Sequence, residues 1–147
     1  MSKIKDLPNE LPDSKGMFQL DIVGTFTKRR FLGEFYCKIP TLRDQSLIAV
    51  YESALNGEFP VYLNPGVQKL HKWISYLKFT LTDTPKFWRD ANYGFDLNDP
   101  NVVEAVYDSV LKFEQEWYEK VWGTEGDDLE IEPKVKDEAN DSKKDQA

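Results

Sequence analysis

The chain has 147 residues, 40% of them hydrophobic and 31% charged, with a net charge of −7. By size it is one domain with enough apolar residues for a core. The acidic balance argues against a nucleic-acid binder, which needs a basic face to neutralise phosphates. No stretch reaches the roughly 20 apolar residues of a membrane helix.

Residues 1–16 hold Pro8, Pro12, Asp13, Ser14 and Gly16 among few apolar positions, and they read as a flexible arm. Residues 1–13 contain no apolar run, so no signal peptide is expected. With a single cysteine, Cys37, no intramolecular disulfide can form, and a reducing cytoplasm is the natural compartment.

Two stretches of period near two follow. Phe18, Leu20 and Ile22 alternate with Gln19 and Asp21; Phe31, Gly33, Phe35, Cys37 and Ile39 alternate with Leu32, Glu34, Tyr36 and Lys38. They predict a hairpin of residues 19–27 against 31–39, turned at Lys28, Arg29 and Arg30, with Gly24 at a bulge. If helices cover only one face, the hairpin edges stay open to a strand from another subunit or partner.

Pro40 ends the second strand, and Thr41 with Asp44 three residues on forms a weak capping box. The helix over 42–56 is expected to bury Leu47, Val50, Tyr51, Ala54 and Leu55, and to stop at Asn56 and Gly57. Asn64 and Pro65 open a second helix, whose stripe is Val67, Leu70, Ile74, Leu77 and Leu81. Asp99 and Pro100 repeat the cap-plus-proline signal before Val103, Val106, Val110, Phe113 and Trp117. Gly123 closes the ordered region. The fold class is therefore α+β: an N-terminal β-hairpin, then three packed helices, in a single domain over 17–123. Residues 124–147 hold nine acids, four bases and no aromatic residue, and they read as a disordered acidic tail.

Catalytic chemistry finds few supports. His71 is the only histidine and lies off the centre of its helix's apolar stripe; Cys37 falls on the inward side of its strand, where a thiol is inert. One cysteine and one histidine do not make a zinc site, and no cofactor is expected. Asp96 and Asp99 are explained by a turn and a cap, and Glu114 and Glu116 point apart on a helix. The Asp96, Asn98, Asp99, Asn101 run lacks the glycine and distal glutamate of a calcium loop. A small carboxylate-dependent enzyme is the reading left to a catalytic function.

The connection over 84–94 is unusually aromatic, with Phe87, Trp88 and Tyr93 joined by Phe95. These residues either plug the end of the helical layer or form a contact surface, since Trp, Tyr and Arg dominate binding hot spots. The expected contact residues are Phe87, Trp88, Arg89 and Tyr93, with Trp73 and Trp122 better placed for exposure than Trp117.

The residues 33–39 (GEFYCKI), a capped helix, residues 77–81, the turn Pro85-Lys-Phe-Trp88, and residues 94–102 (GFDLNDPNV) before an acidic aromatic helix resemble the tail assembly chaperones of tailed bacteriophages, over roughly 25–122. The resemblance implies a non-enzymatic protein that coats the tape-measure protein and gathers tail-tube subunits in the host cytoplasm, alone or as a homo-oligomer. The alternative it leaves is a minor structural protein retained in the virion.

Overall fold

Strand β1 (Lys15–Val23) pairs antiparallel with β2 (Arg30–Lys38) in one unbroken register, from Lys15 opposite Lys38 to Val23 opposite Arg30. The chain is seen here as a computed structural model, which describes residues 11–123. The fold is α+β. The tail expected over 124–147 and the first ten residues of the expected arm lie outside the described residues. Lys15 and Gly16 belong to β1 rather than to an arm. Gly16 is short of a side chain where the Phe113 ring lies over it; a Cβ there would sit 2.3 Å from that ring.

The hairpin turn comes earlier than the charge pattern implied. Residues 24–27 leave the strand, and the Gly24 N–H donates to the Arg29 carbonyl at 2.8 Å. Gly24 is thus the start of the turn and not a bulge. Arg30 is in β2, where it pairs with Asp21 at 2.8 Å.

Helix α1 (Leu42–Asn56) starts at the capping box foreseen. The Asp44 N–H donates to Thr41 Oγ1 at 3.2 Å, and the Thr41 N–H donates to the Asp44 carboxylate at 2.9 Å. It stops at Gly57, whose φ of 77° only glycine adopts freely. After a 3-10 turn (Pro60–Tyr62), α2 (Pro65–Thr80) begins at Asn64, which accepts the Gly66 N–H at 2.7 Å.

Leu81 does not continue α2. Residues Leu81–Asp83 form a short strand, β3, that pairs with β2 at Tyr36 and Cys37 across an irregularity. The order is β1-β2-β3, so β2 is the central strand. The edge expected to stay open along 31–39 is closed at 36–37. A three-residue strand leaves too short a period to read, and Leu81 happens to stand four residues after Leu77.

Within the aromatic connection, Lys86–Asp90 form a fourth helix, α3, and α4 spans Pro100–Trp122. The core joins Leu20, Phe31, Phe35 and Cys37 of the sheet to Ile74 and Leu77 of α2, Trp88 of α3, and Val102, Val103, Val106 and Val110 of α4. Each such side chain contributes about 1.5–3 kcal/mol when fully buried.

Helix α1 departs from its expected orientation. It buries Asp44 and Ile48 and half-buries Tyr51 and Leu55, whereas Leu47, Val50 and Ala54 are exposed. The anchor is Asp44: its carboxylate binds Thr41 and lies 3.2 Å from Lys38 Nζ at the end of β2. With Asp44 turned inward, the positions four, seven and eleven residues later follow it.

The described residues divide into two compact units, Asp13–Glu114 and a second that holds residues 11–12 and 115–123. The boundary falls inside the domain expected over 17–123. In the second unit Trp117 Nε1 donates to the Pro12 carbonyl at 3.1 Å. Tyr118 stands edge-on to Trp117 at 4.9 Å and lies 6.0 Å from Trp122.

Candidate functional site

The aromatic connection splits into a buried part and an exposed part. Trp88 is 1% exposed, set edge-on to Phe35 with centroids 5.4 Å apart. Gly94, at a φ of 93°, passes under its ring, and a Cβ there would come within 2.6 Å of the indole. Phe87 is half-buried against Phe31 and Phe35, and Phe95 stands 6.2 Å from the His71 ring. Trp88 is therefore core and not a contact residue. A five-residue helix aims it inward, an orientation that loop composition does not encode.

Arg89 and Tyr93 remain exposed, and both line one groove. Its volume is about 390 Å³, and its walls are Leu77 and Lys78 of α2, residues 81–84, Trp88, Arg89 and Tyr93. Leu77 and Trp88, both core residues, close its bottom. On the rim the Arg89 guanidinium donates to the Thr84 carbonyl and stands 3.8 Å from Asp83. Lys78 Nζ lies over the Tyr51 ring at 5.0 Å. Asn92, Tyr93 and Gly94 have consecutive φ values of 54°, 56° and 93°. For a side chain as large as tyrosine this left-handed region costs roughly 1–2 kcal/mol. Such strain persists only where the surrounding structure over-determines it, and the Tyr93 side chain is 57% exposed.

Phe87 lines a separate recess with Arg29, Phe31 and Asp96. Trp73 is half-buried away from the groove, with Tyr107 at 6.1 Å and Lys69 Nζ at 5.7 Å. Trp122 is exposed and belongs to the second unit. Of the six residues that the sequence nominated, only Trp88, Arg89 and Tyr93 come together. Lys78 of α2 and Leu81 and Asp83 of β3 complete the groove; the sequence read Leu81 as part of a helical stripe, because β3 was not legible.

Asp99, Glu114, Cys37 and His71, among the groups weighed for chemistry, are held in structural contacts. Asp99 turns away from its own helix and clamps the hairpin turn: its carboxylate accepts the Phe26 and Thr27 N–H groups at 2.7 and 2.9 Å and the Thr27 hydroxyl at 2.5 Å. Burial alone would raise its pKa; those hydrogen bonds, with Arg29 nearby, outweigh it and hold the carboxyl below the usual range. Asp96 is exposed. Burial raises Glu114, whose carboxylate accepts the Tyr76 hydroxyl. Burial also pushes the Cys37 thiol up to about 11, with the Glu114 charge adding, so little thiolate forms at neutral pH. His71 is half-buried, its Nδ1 2.8 Å from the Asn56 side-chain oxygen. Among the described residues, no group of three or more His, Cys, Asp or Glu is placed to hold a metal ion, and no helix is long and apolar enough to cross a membrane.

No protein-family model, curated protein or solved structure matches this chain. Its own surfaces are then the ground for a functional reading. Beside the groove there is a second surface, the outer side of α1. Leu42, Leu47 and Val50 are exposed there, with Phe59 just beyond the helix. The one sequence feature that marks it is that residues 45–51 contain no charge.

Proposed function

We propose that this chain is a non-enzymatic assembly factor that acts by protein–protein contact, with the groove between α2, β3 and α3 as its client site. The observation that carries the reading is the groove's make-up. Its exposed wall is Arg89, Lys78 and a strained Tyr93, with half-buried Leu81, above a bottom closed by the core residues Leu77 and Trp88. A partner side chain entering the groove packs against Tyr93 and Leu81, with Arg89 beside them, and tyrosine and arginine are among the residue types most often found at hot spots. In the specific form that the resemblance implies, the clients are the tape-measure and tail-tube proteins of a tailed phage.

The test is co-purification of the tape-measure protein with the wild-type chain and with Arg89→Ala and Tyr93→Ala, beside thermal unfolding of each. The expected result is normal melting and, for Tyr93→Ala, association weakened by about 2 kcal/mol, roughly thirtyfold. Unchanged capture by both variants removes the groove from the reading, and no capture by the wild type removes the client. Mass spectrometry of purified particles separates the chaperone, which is absent from them, from a minor virion protein, which is present.

A further inference from the structure

We infer that the outer face of α1 is the interface of a two-fold homodimer, in which two α1 helices pack antiparallel about an axis beside Val50. A helix with one side in water ordinarily turns charged residues outward. Nine residues of α1 are exposed and only Arg43 among them is charged; Leu42, Leu47, Ala49, Val50 and Ala54 are apolar. Leu42 is 84% and Val50 66% exposed, and Phe59, just past the C-terminal stop, is 64% exposed. Contiguous apolar surface of this kind marks an interaction site.

A second copy is the occupant that fits, because the face is complementary to itself. An antiparallel two-fold beside Val50 sets Leu47 against Ala54 of the partner subunit, large against small, which lets helix axes approach to about 8–10 Å. It brings Leu42, at the start of α1, toward Phe59 of the partner subunit, just past the end of α1. Arg43 near the start of α1 and Glu58 just past its stop lie at opposite ends of the face, so the same antiparallel arrangement brings Arg43 toward Glu58 of the partner subunit. Both of these charged residues are exposed, and neither is in an ion pair among the described residues. Every contact occurs twice, as an isologous interface requires. The inference is independent of the groove, whose lining residues lie on other elements.

The experiment is sedimentation equilibrium of the full chain over a range of concentrations. The wild type is expected to show a monomer–dimer equilibrium. Val50→Asp, next to the axis, is expected to raise the dimer dissociation constant about a hundredfold, since it places two unpaired carboxylates in the interface. Arg43→Glu and Glu58→Arg are each expected to weaken self-association roughly tenfold, because each turns two opposite-charge pairs into like-charge pairs. An equimolar mixture of those two variants restores a dimer, since both pairs are then of opposite sign. The mixture also keeps the proposal testable should Val50→Asp misfold. A wild type that stays monomeric overturns the inference, as do a dimer that Val50→Asp leaves intact and a mixture that does not associate. If the chain is monomeric and Val50→Asp loses client capture, the face belongs to the client instead.

Discussion

Helices α1 and α4 carry apolar residues at the same three-and-four spacing, yet they use it in opposite ways. In α4, Val103, Val106 and Val110 are buried, while Glu104, Asp108 and Lys112 look into solvent. In α1, Leu47, Val50 and Ala54 look into solvent, while Ile48 and Asp44 are buried. The two differ in what stands opposite the stripe. The charged ridge of α4 allows one orientation, because turning it inward would desolvate several charges. In α1 both sides are apolar enough to face the core, so periodicity leaves its rotation open. A polar contact decides it: Asp44, bound to Thr41 and close to Lys38, turns Ile48, Tyr51 and Leu55 inward. A stripe identifies a helix, but only a helix with a charged back says which side is buried.

The largest expected effect tests the buried side of α4. Val106→Asp puts an unpaired carboxylate into a fully buried site and is expected to prevent cooperative folding, read by circular dichroism and thermal unfolding. A folded variant with an ordinary melting curve would mean that α4 does not hold the core. Next is the split within the aromatic connection. Trp88→Ala is expected to cost about 3–5 kcal/mol in denaturant unfolding, whereas Arg89→Ala stays within about 0.5 kcal/mol. Equal costs would return both residues to one role.

Acid sharpens the role of polar anchors. Asp44 is held below the usual carboxylate range first by the Thr41 N–H, against burial and with help from Lys38; Asp99 is held low by the hairpin turn. A carboxyl depressed in the folded state stabilises fully above the ordinary aspartate value of 3.8, and that stabilisation is lost as pH falls through the folded pKa. The melting temperature is therefore expected to drop below about pH 4, and Asp99→Asn to flatten part of that drop. An unchanged acid profile in the variant would mean that the clamp contributes nothing. The smallest effect is on the outside of α1. Val50→Asp, measured at a concentration below dimer formation, is expected to shift stability by no more than about 0.5 kcal/mol. A cost of several kcal/mol would place Val50 in the core and erase the contrast with α4.

Much of the fold was legible because it is written locally. The period-two stretches marked β1 and β2, and the cap residues Thr41, Asp44, Asn64 and Pro65 placed two helix starts to the residue. The buried Cys37 followed from alternation alone. Strand β3 was not legible, because three residues take on strand geometry only when β2 offers them a ladder. Of the groove, only Trp88, Arg89 and Tyr93 could be named in advance, and the inward aim of Trp88 depends on a short helix and on Gly94 passing beneath its ring.

The sequence by itself determined where α1, α2 and α4 begin and where α1 stops, because caps, prolines and a stop glycine act between residues a few positions apart. It also shows that residues 45–51 form an uncharged stretch. Only the tertiary structure decided which side of α1 that stretch presents, where the Asp99 carboxylate goes and which aromatic residues are core. Those outcomes depend on partners distant in the chain: Lys38 for Asp44, Thr27 for Asp99, Phe35 for Trp88. Such pairings form only once the chain has closed the loops between them, and no local pattern records them.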